Sequence, residues 1–212
     1  VTSSTKNCLI LFTRYPTVGT TKTRLISHLG AEQAANLQRQ MTEHIVDKTH
    51  PLRSRGGCAM EIHFTGSSLS QMQDWLGMQL TYRSQQGRDL GERLHRAFTE
   101  GFQDNCERVV VIGSDCPAIS TDHLDQAFHQ LNSHDLVLGP AWDGGYYLVG
   151  LSRSSAQRCG ELFQNIAWGT EQVFAQTVAI AHHLNLTWAT LEPLCDIDRP
   201  EDIATFTLLQ SA

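Results

Sequence analysis

The run Val109-Val110-Val111-Ile112 constrains this chain more than any other feature. It is the purest apolar run in the sequence and leaves no polar face for water, so it reads as a central strand buried on both sides. Such a strand needs a sheet with helices on both faces. Neighbouring patterns supply one. Cys8-Leu9-Ile10-Leu11-Phe12 is a second continuous apolar run and a second buried strand. From Lys22 to about Lys48 the spacing is helical, with Gly30 as a break. Ala59 to Phe64 alternates as a strand, Ser68 to Leu76 reads as a short helix, and Gln79 to Tyr82 as a strand. Leu90, Leu94, Ala97 and Phe98 share one helical face, and a helix is expected over Thr121 to Leu131. Leu136-Val137-Leu138, Tyr146 to Val149 and Leu186 to Leu191 read as strands, Glu171 to His183 as a helix. A last helix begins near Arg199, with Pro200 in its first turn. The expected fold is a single domain over residues 1–212, a three-layer α/β/α, Rossmann-like arrangement on a mostly parallel sheet.

Bulk properties remove several function classes. With 16 Lys and Arg against 22 Asp and Glu, the net charge of −6 gives no electrostatic footprint for nucleic acid. A small phosphate ligand needs only a few placed cations and stays open. The six cysteines form no CxxC pair and no zinc spacing, and read as reduced, mostly buried thiols. No apolar run approaches the ~20 residues of a membrane span. The first residues, Val1 to Lys6, lack an apolar signal core. A cytoplasmic protein without membrane contact is expected.

In parallel sheets of this kind ligands sit beyond the carboxyl ends of the strands. Three such places carry chemistry here. After the first strand come Thr13-Arg14-Tyr15-Pro16-Thr17-Val18-Gly19-Thr20-Thr21-Lys22-Thr23-Arg24. Gly19 permits close backbone approach, and a helix start offers free N–H groups. Lys22 and Arg24 oppose the helix dipole there, which a bound polyphosphate would justify, with Thr23 as a hydroxyl donor. The other reading is a solvated loop with ordinary surface cations. The P-loop spacing and the GxGxxG fingerprint are both absent.

After the central strand, Gly113-Ser114-Asp115-Cys116-Pro117 places a carboxylate in the expected crevice, suited to Mg²⁺ or Mn²⁺ completed by phosphates. Fixing the turn before Pro117 is the plainer role for Asp115. Between two later strands, Asp143-Gly144-Gly145 offers an acid to orient or deprotonate an acceptor and glycines that pass close to a ligand, or simply a tight turn. In Asp196-Ile197-Asp198 the two acids point the same way if the segment is extended. One is expected to cap the final helix or to serve as a second metal ligand. Asp89 reads as a helix N-cap, with contact to a base or ribose as the alternative. Trp168 reads as an exposed aromatic before a helix that Thr170 caps, and His182-His183 as a solvated helix end.

These motifs together resemble a bacterial glycosyltransferase family of the arsenosugar-biosynthesis-associated type, within the nucleotide-diphospho-sugar transferases of GT-A-type fold. The matching pieces are Arg14-Tyr15-Pro16, Gly19 with Lys22-Thr23-Arg24-Leu25, and Gly87-Arg88-Asp89-Leu90-Gly91-Glu92-Arg93. Gly113 to Pro117, Gly139-Pro140 with Asp143 to Tyr147, Trp168 and Asp196-Ile197-Asp198 continue the series. The resemblance covers nearly the whole chain in order. It implies phosphate contacts from Lys22 and Arg24, a metal on Asp115, and Asp198 as a second ligand. Arg14 stands where the family often has Lys, Gly169 where Ser is usual, Cys195 where Tyr is frequent and Arg199 where Thr is frequent.

The resulting expectation is a metal-dependent glycosyltransferase that uses a nucleotide sugar and a small-molecule acceptor. Asp115 and Asp143 are its catalytic pair, Gly144, Gly145 and Trp168 lie on the acceptor side, and Arg14, Gly19, Lys22, Thr23, Arg24 and Asp89 bind the nucleotide. Nucleotidyl transfer from a nucleoside triphosphate to a phosphorylated acceptor is the alternative, which the basic loop favours. A non-catalytic nucleotide-binding module is the third reading.

Overall fold

A computed structural model describes residues 6–204. Seven strands form one sheet: β1 Asn7–Arg14, β2 Cys58–Thr65, β3 Thr81–Ser84, β4 Arg108–Gly113, β5 Leu136–Pro140, β6 Tyr146–Ser152 and β7 Trp188–Thr190. Their order is β3-β2-β1-β4-β6-β5-β7. All neighbours pair parallel except β6, which runs antiparallel to β4 and β5. The sheet is thus mostly parallel, as expected. The helices are α1 Ile26–Leu29, α2 Ala31–Lys48, α3 His50–Ser54, α4 Leu69–Leu76, α5 Leu90–Gln103, α6 Thr121–Gln130, α7 Cys159–Leu162 and α8 Val173–His183. Short 3-10 turns cover Thr23–Leu25, Arg153–Arg158 and Pro200–Asp202.

The two central strands explain the layering. Along β1, Leu9 and Leu11 join one core with Val110 and Ile112 of β4 and Leu124 and Phe128 of α6. Cys8 and Ile10 join the opposite core with Val109 and Val111 of β4 and Leu94 and Phe98 of α5. Period-2 alternation over an unbroken apolar run fills both faces at once. Gly30, at φ 81°, breaks the first helical stretch into α1 and α2. β3 begins two residues later than the pattern suggests, because Leu80 is buried in the core ahead of the strand. The final helix is a 3-10 turn over Pro200–Asp202 within the described residues, and its expected continuation past 204 lies outside them. Short α3 and α7 carry no pattern that marked them beforehand.

All six cysteines are free. Among the described residues no helix is long and apolar enough to cross a membrane.

Candidate functional site

The chain builds β1, β2 and β3 outward in one direction and then starts again with β4 on the other side of β1. That reversal leaves a crevice beyond the carboxyl ends of β1 and β4, where backbone loops diverge. A cleft of about 540 Å³ opens there. Phe12, Thr13 and Arg14 from the end of β1, Gly113 to Cys116 from β4, and Tyr146 and Tyr147 from the start of β6 line it, with Thr65 and Gln85 from the β2 and β3 side. An apolar recess of about 100 Å³ adjoins it, bounded by Leu90, Leu94, Val111 and the shared residues Phe12, Gly113 and Tyr146.

At the centre stands Lys22. Its backbone is left-handed, φ 49° and ψ 45°, which a non-glycine residue adopts at a cost. The side chain is 5% exposed. Its ammonium donates to Asp198 Oδ1 at 2.8 Å and to the Ile197 carbonyl at 2.6 Å, and lies 3.0 Å from Asp115 Oδ1. Burial disfavours the charged ammonium, but Asp115 and Asp198 outweigh it and the net shift is upward. Lys22 therefore reaches protein carboxylates first, where the sequence suggested a ligand's phosphates. Arg24, 73% exposed, lies 3.5 Å from Asp198 Oδ2.

The late aspartates behave as an extended segment should. Ile197 is fully buried with Leu25, Leu37 and Met41, while Asp196 and Asp198 on either side line the cleft. The Ile197 N–H donates to the Asp115 carbonyl at 2.8 Å and locks the two acidic segments together. Neither Asp196 nor Asp198 caps the last turn. Asp202 does that work by accepting from the Asp198 and Arg199 N–H groups. Burial, then Asp115, Asp143 and Asp198, push Asp196 up to about 7, against the opposing pull of Lys22. Burial is the largest cause, and the neighbouring acids add to it beyond what Lys22 offsets.

A buried polar ladder holds the floor. Gln38 of α2 donates to Ser114 Oγ at 2.8 Å and to Thr42 Oγ1 at 3.2 Å, and Thr42 meets Thr13 at 3.1 Å. This ties α2 to the ends of β1 and β4.

Of the residues expected from sequence, Arg14, Lys22, Thr23, Arg24, Asp115 and Asp198 come together on the cleft wall. The others fall elsewhere. Asp89 accepts from the Glu92 N–H at 2.9 Å and is the N-cap of α5. Asp143 is exposed and accepts from the Gly145 N–H at 2.9 Å, closing its own turn, though its charge still reaches Asp196. Gly144 has φ 87° and packs against the Glu171 backbone. Gly19, at φ 83°, has open space around it and is not among the lining residues. Trp168 is half-buried rather than exposed, because it packs on the core beside α5 and α8, edge-on to Tyr146 and against Gly91. Thr170 does not cap α8 as expected: the N-cap is Gln172, without a side-chain cap bond, and Thr170 Oγ1 accepts from the Gln172 N–H and donates to the Ala167 carbonyl within the preceding turn. His182 and His183 are exposed at the end of α8.

Sequence reading missed Arg93, Gln85 and Gln38 on the wall. Arg93 had a signal: it sits one turn into α5, whose start the Gly87 loop brings to the cleft, and its Nε donates to the Gly87 carbonyl.

Among the described residues no three His, Cys, Asp or Glu side chains form a ready metal cage. The donor set still suits a hard divalent ion, because Mg²⁺ and Mn²⁺ sites commonly use one or two carboxylates and leave the rest to phosphates. Asp115 and Asp198, drawn to one point by Lys22, are such a pair.

The comparisons with known proteins bear on the family and the fold. A family model described as "Uncharacterized protein conserved in bacteria (DUF2064)" matches residues 49–170, more than half of the chain. The matched span holds Asp89, Asp115 and Asp143 but neither Lys22 nor Asp198. A candidate nucleotide-diphospho-sugar transferase of Desulfovibrio desulfuricans G20 is 32% identical over 92% of this chain and 83% of its own, with a TM-score of 0.85. The CMP:2-keto-3-deoxy-manno-octonic acid synthetase in complex with CTP superposes at 0.62 with 10% identity, covering 97% of this chain and 98% of that one. A manganese complex of a Mycobacterium tuberculosis H37Rv protein superposes at 0.57 with 12% identity over 96% and 98%. These last two show the shared fold. No functionally curated protein matches the chain.

Proposed function

The chain belongs to the DUF2064 family and has the fold of the nucleotide-diphospho-sugar transferases, and from this premise we propose that it is a metal-dependent transferase with a nucleotide donor, transferring a glycosyl group from a nucleotide sugar to a small-molecule acceptor. One observation carries the proposal: Asp115, just after β4 in mid-chain, and Asp198, 83 residues later, both reach the Lys22 ammonium in the cleft beyond the carboxyl ends of β1 and β4. The Desulfovibrio relative supports the glycosyl reading by its description. The motifs from Arg14-Tyr15-Pro16 to Asp196-Ile197-Asp198 extend it to the arsenosugar-associated branch, and one domain and a cytoplasmic location belong to the same proposal.

In this reading Asp115 and Asp198 would hold Mg²⁺ or Mn²⁺, which would screen charge on the leaving phosphate. Arg14, Arg24 and Arg93 give the cleft fixed cations for a diphosphate, and Thr23 adds a hydroxyl. Gly113 at the floor adds no side chain, so a ligand approaches the strand end closely. Asp143, at the edge of the acid cluster, orients the acceptor hydroxyl.

Nucleotidyl transfer from a nucleoside triphosphate is the second reading. The specific observation in its favour is the number of cations on one wall, since Arg14, Lys22, Arg24 and Arg93 all line the cleft.

A thermal-shift screen of nucleotide sugars and nucleoside triphosphates with Mg²⁺ or Mn²⁺ separates the two. A ligand at 100 times its dissociation constant stabilises by about 2.7 kcal/mol. For a chain of this size that raises the melting point by roughly 5–10 °C. Stabilisation by nucleotide sugars is expected; stabilisation by triphosphates alone selects nucleotidyl transfer, and no shift with any nucleotide overturns both. Asp115→Asn should abolish the metal-dependent part of the shift.

A further inference from the structure

We propose that Lys22 is a built-in competitor for the divalent metal, so that the Asp115–Asp198 pair accepts the ion tightly only when a polyphosphate draws the Lys22 ammonium away. This rests on the metal-dependent reading above and deepens it.

The geometry points to competition rather than coexistence. The ammonium sits where the two carboxylates converge, 3.0 Å from Asp115 Oδ1 and 2.8 Å from Asp198 Oδ1. A cation that uses both carboxylates at once needs that same place. With the Ile197 carbonyl at 2.6 Å as a third acceptor, all three ammonium protons have partners. The arrangement is specific to this chain position. The left-handed backbone at Lys22, with no side-chain cap at the helix start, turns the side chain inward. An ordinary surface lysine at a helix start would gain nothing from such strain. Lys22 is also 5% exposed, while Arg24 two residues on is 73% exposed. The loop therefore carries one cation spent on the protein's own acids and one left for the solvent side.

Departure of the ammonium has somewhere to go. Lys22 lines the cleft together with Arg14, Arg24 and Arg93, so phosphates bound there would lie within reach of its flexible stem. A polyphosphate then does two things at once. It offers the ammonium an alternative anion and supplies the remaining oxygens of the metal shell. Binding of metal and of polyphosphate become coupled, each raising the affinity for the other by the same factor. The ligand class that suits this device is a diphosphate or longer, since one phosphoryl group can meet Lys22 while the other supplies oxygens to the metal shell.

Mn²⁺ binding, followed by equilibrium dialysis with protein-bound Mn²⁺ measured against a protein-free Mn²⁺–pyrophosphate control, tests this with inorganic pyrophosphate as the phosphate probe. Wild type should bind Mn²⁺ weakly alone and about tenfold or more tightly with pyrophosphate. Lys22→Met should bind Mn²⁺ alone about tenfold more tightly than wild type and should gain less from pyrophosphate than wild type does, keeping only the part due to the phosphate oxygens in the metal shell. Equal Mn²⁺ affinity in wild type and variant overturns the competition while leaving the metal site intact. Absence of Mn²⁺ binding in both proteins under both conditions overturns the metal-dependent function itself, and the competition with it. Because Lys22→Met leaves two carboxylates without their counter-ion, a measurement on wild type guards against a misfolded variant. Acylation of the Lys22 amine, read by mass spectrometry, should be slow in metal-free protein and should accelerate at saturating Mn²⁺. Unchanged acylation at saturating Mn²⁺ shows that ion and ammonium share the site, and refutes the proposal.

Discussion

Gly113 and Gly144 give opposite answers to the same substitution, and the contrast tests where the ligand lies. A Cβ built on Gly144 would stand 2.2 Å from the Glu171 carbonyl oxygen and 2.5 Å from its Cα. These are backbone atoms at the approach to α8 and cannot swing aside. The residue is also held at φ 87° and donates to the Ala141 carbonyl at 3.1 Å. Left-handed backbone costs a side-chain-bearing residue roughly 1–2 kcal/mol. Overpacking against fixed atoms adds roughly 1–3 kcal/mol. Gly144→Ala should therefore lose about 2–5 kcal/mol. At roughly 2–4 °C per kcal/mol for a chain of this size, the melting point falls by about 5–20 °C. At Gly113 the nearest atom to the same added carbon is the Asp115 nitrogen at 4.0 Å, and φ is not left-handed. The fold makes no demand for glycine there, but the cleft and its apolar recess both open onto this residue. Gly113→Ala should melt within about 0.5 kcal/mol of wild type, the scale of substitutions that touch no packed atom. Gly113→Val should still fold and should weaken nucleotide binding by tenfold or more, on the order of 1.4 kcal/mol. Circular-dichroism melts with and without the nucleotide found by the screen measure both numbers. If Gly113→Val binds as wild type does, the ligand does not use the strand end. If Gly144→Ala melts normally, the Glu171 contact is not what fixes that glycine.

Asp89→Ala should cost about 1 kcal/mol through the lost cap of α5, and Asp89→Ser should restore most of it. Nucleotide affinity should be unchanged in Asp89→Ser; a loss there would move Asp89 to the ligand. Buried Glu61 accepts from His63 and Arg83 at 3.0 and 2.8 Å, and although burial alone would raise its carboxyl, these partners hold it below the usual carboxylate range. A depressed folded value means that Glu61 stabilises above the unfolded value and that the gain disappears as pH falls through the folded one. Urea melts of wild type and Glu61→Gln should therefore differ by roughly 1–3 kcal/mol at pH 7 and converge toward pH 3. A difference that holds constant across that range would mean that the carboxylate charge is not what matters.

Much of this fold was legible because its strands are apolar runs and its layers follow from period 2. What was not legible follows from physics that runs between distant residues. The direction of β6 is an intermediate case. Tyr146 to Val149 shows a strand but no direction, yet only five residues separate Pro140 from Tyr146. A parallel return needs a crossover of a dozen residues or more, so the short link alone dictated the antiparallel strand. Trp168 went the other way, because an aromatic before a helix looks the same whether it faces water or a recess beside Gly91.

Lys22 marks the limit most clearly. A cation at the start of a helix opposes the dipole and so implies an anion nearby. Local sequence cannot say whose anion it is. A ligand's phosphate and a carboxylate 176 residues further along satisfy the same electrostatics, and the structure seats Lys22 on Asp198. The inference to a polyphosphate is not thereby lost. The ammonium's present partners are themselves the carboxylates that a metal would claim, and a metal on them draws phosphate oxygens to its remaining positions. The anion expected from the helix start and the acids found beside Lys22 then belong to one exchange, in which the lysine holds the aspartate pair until metal and phosphate arrive together.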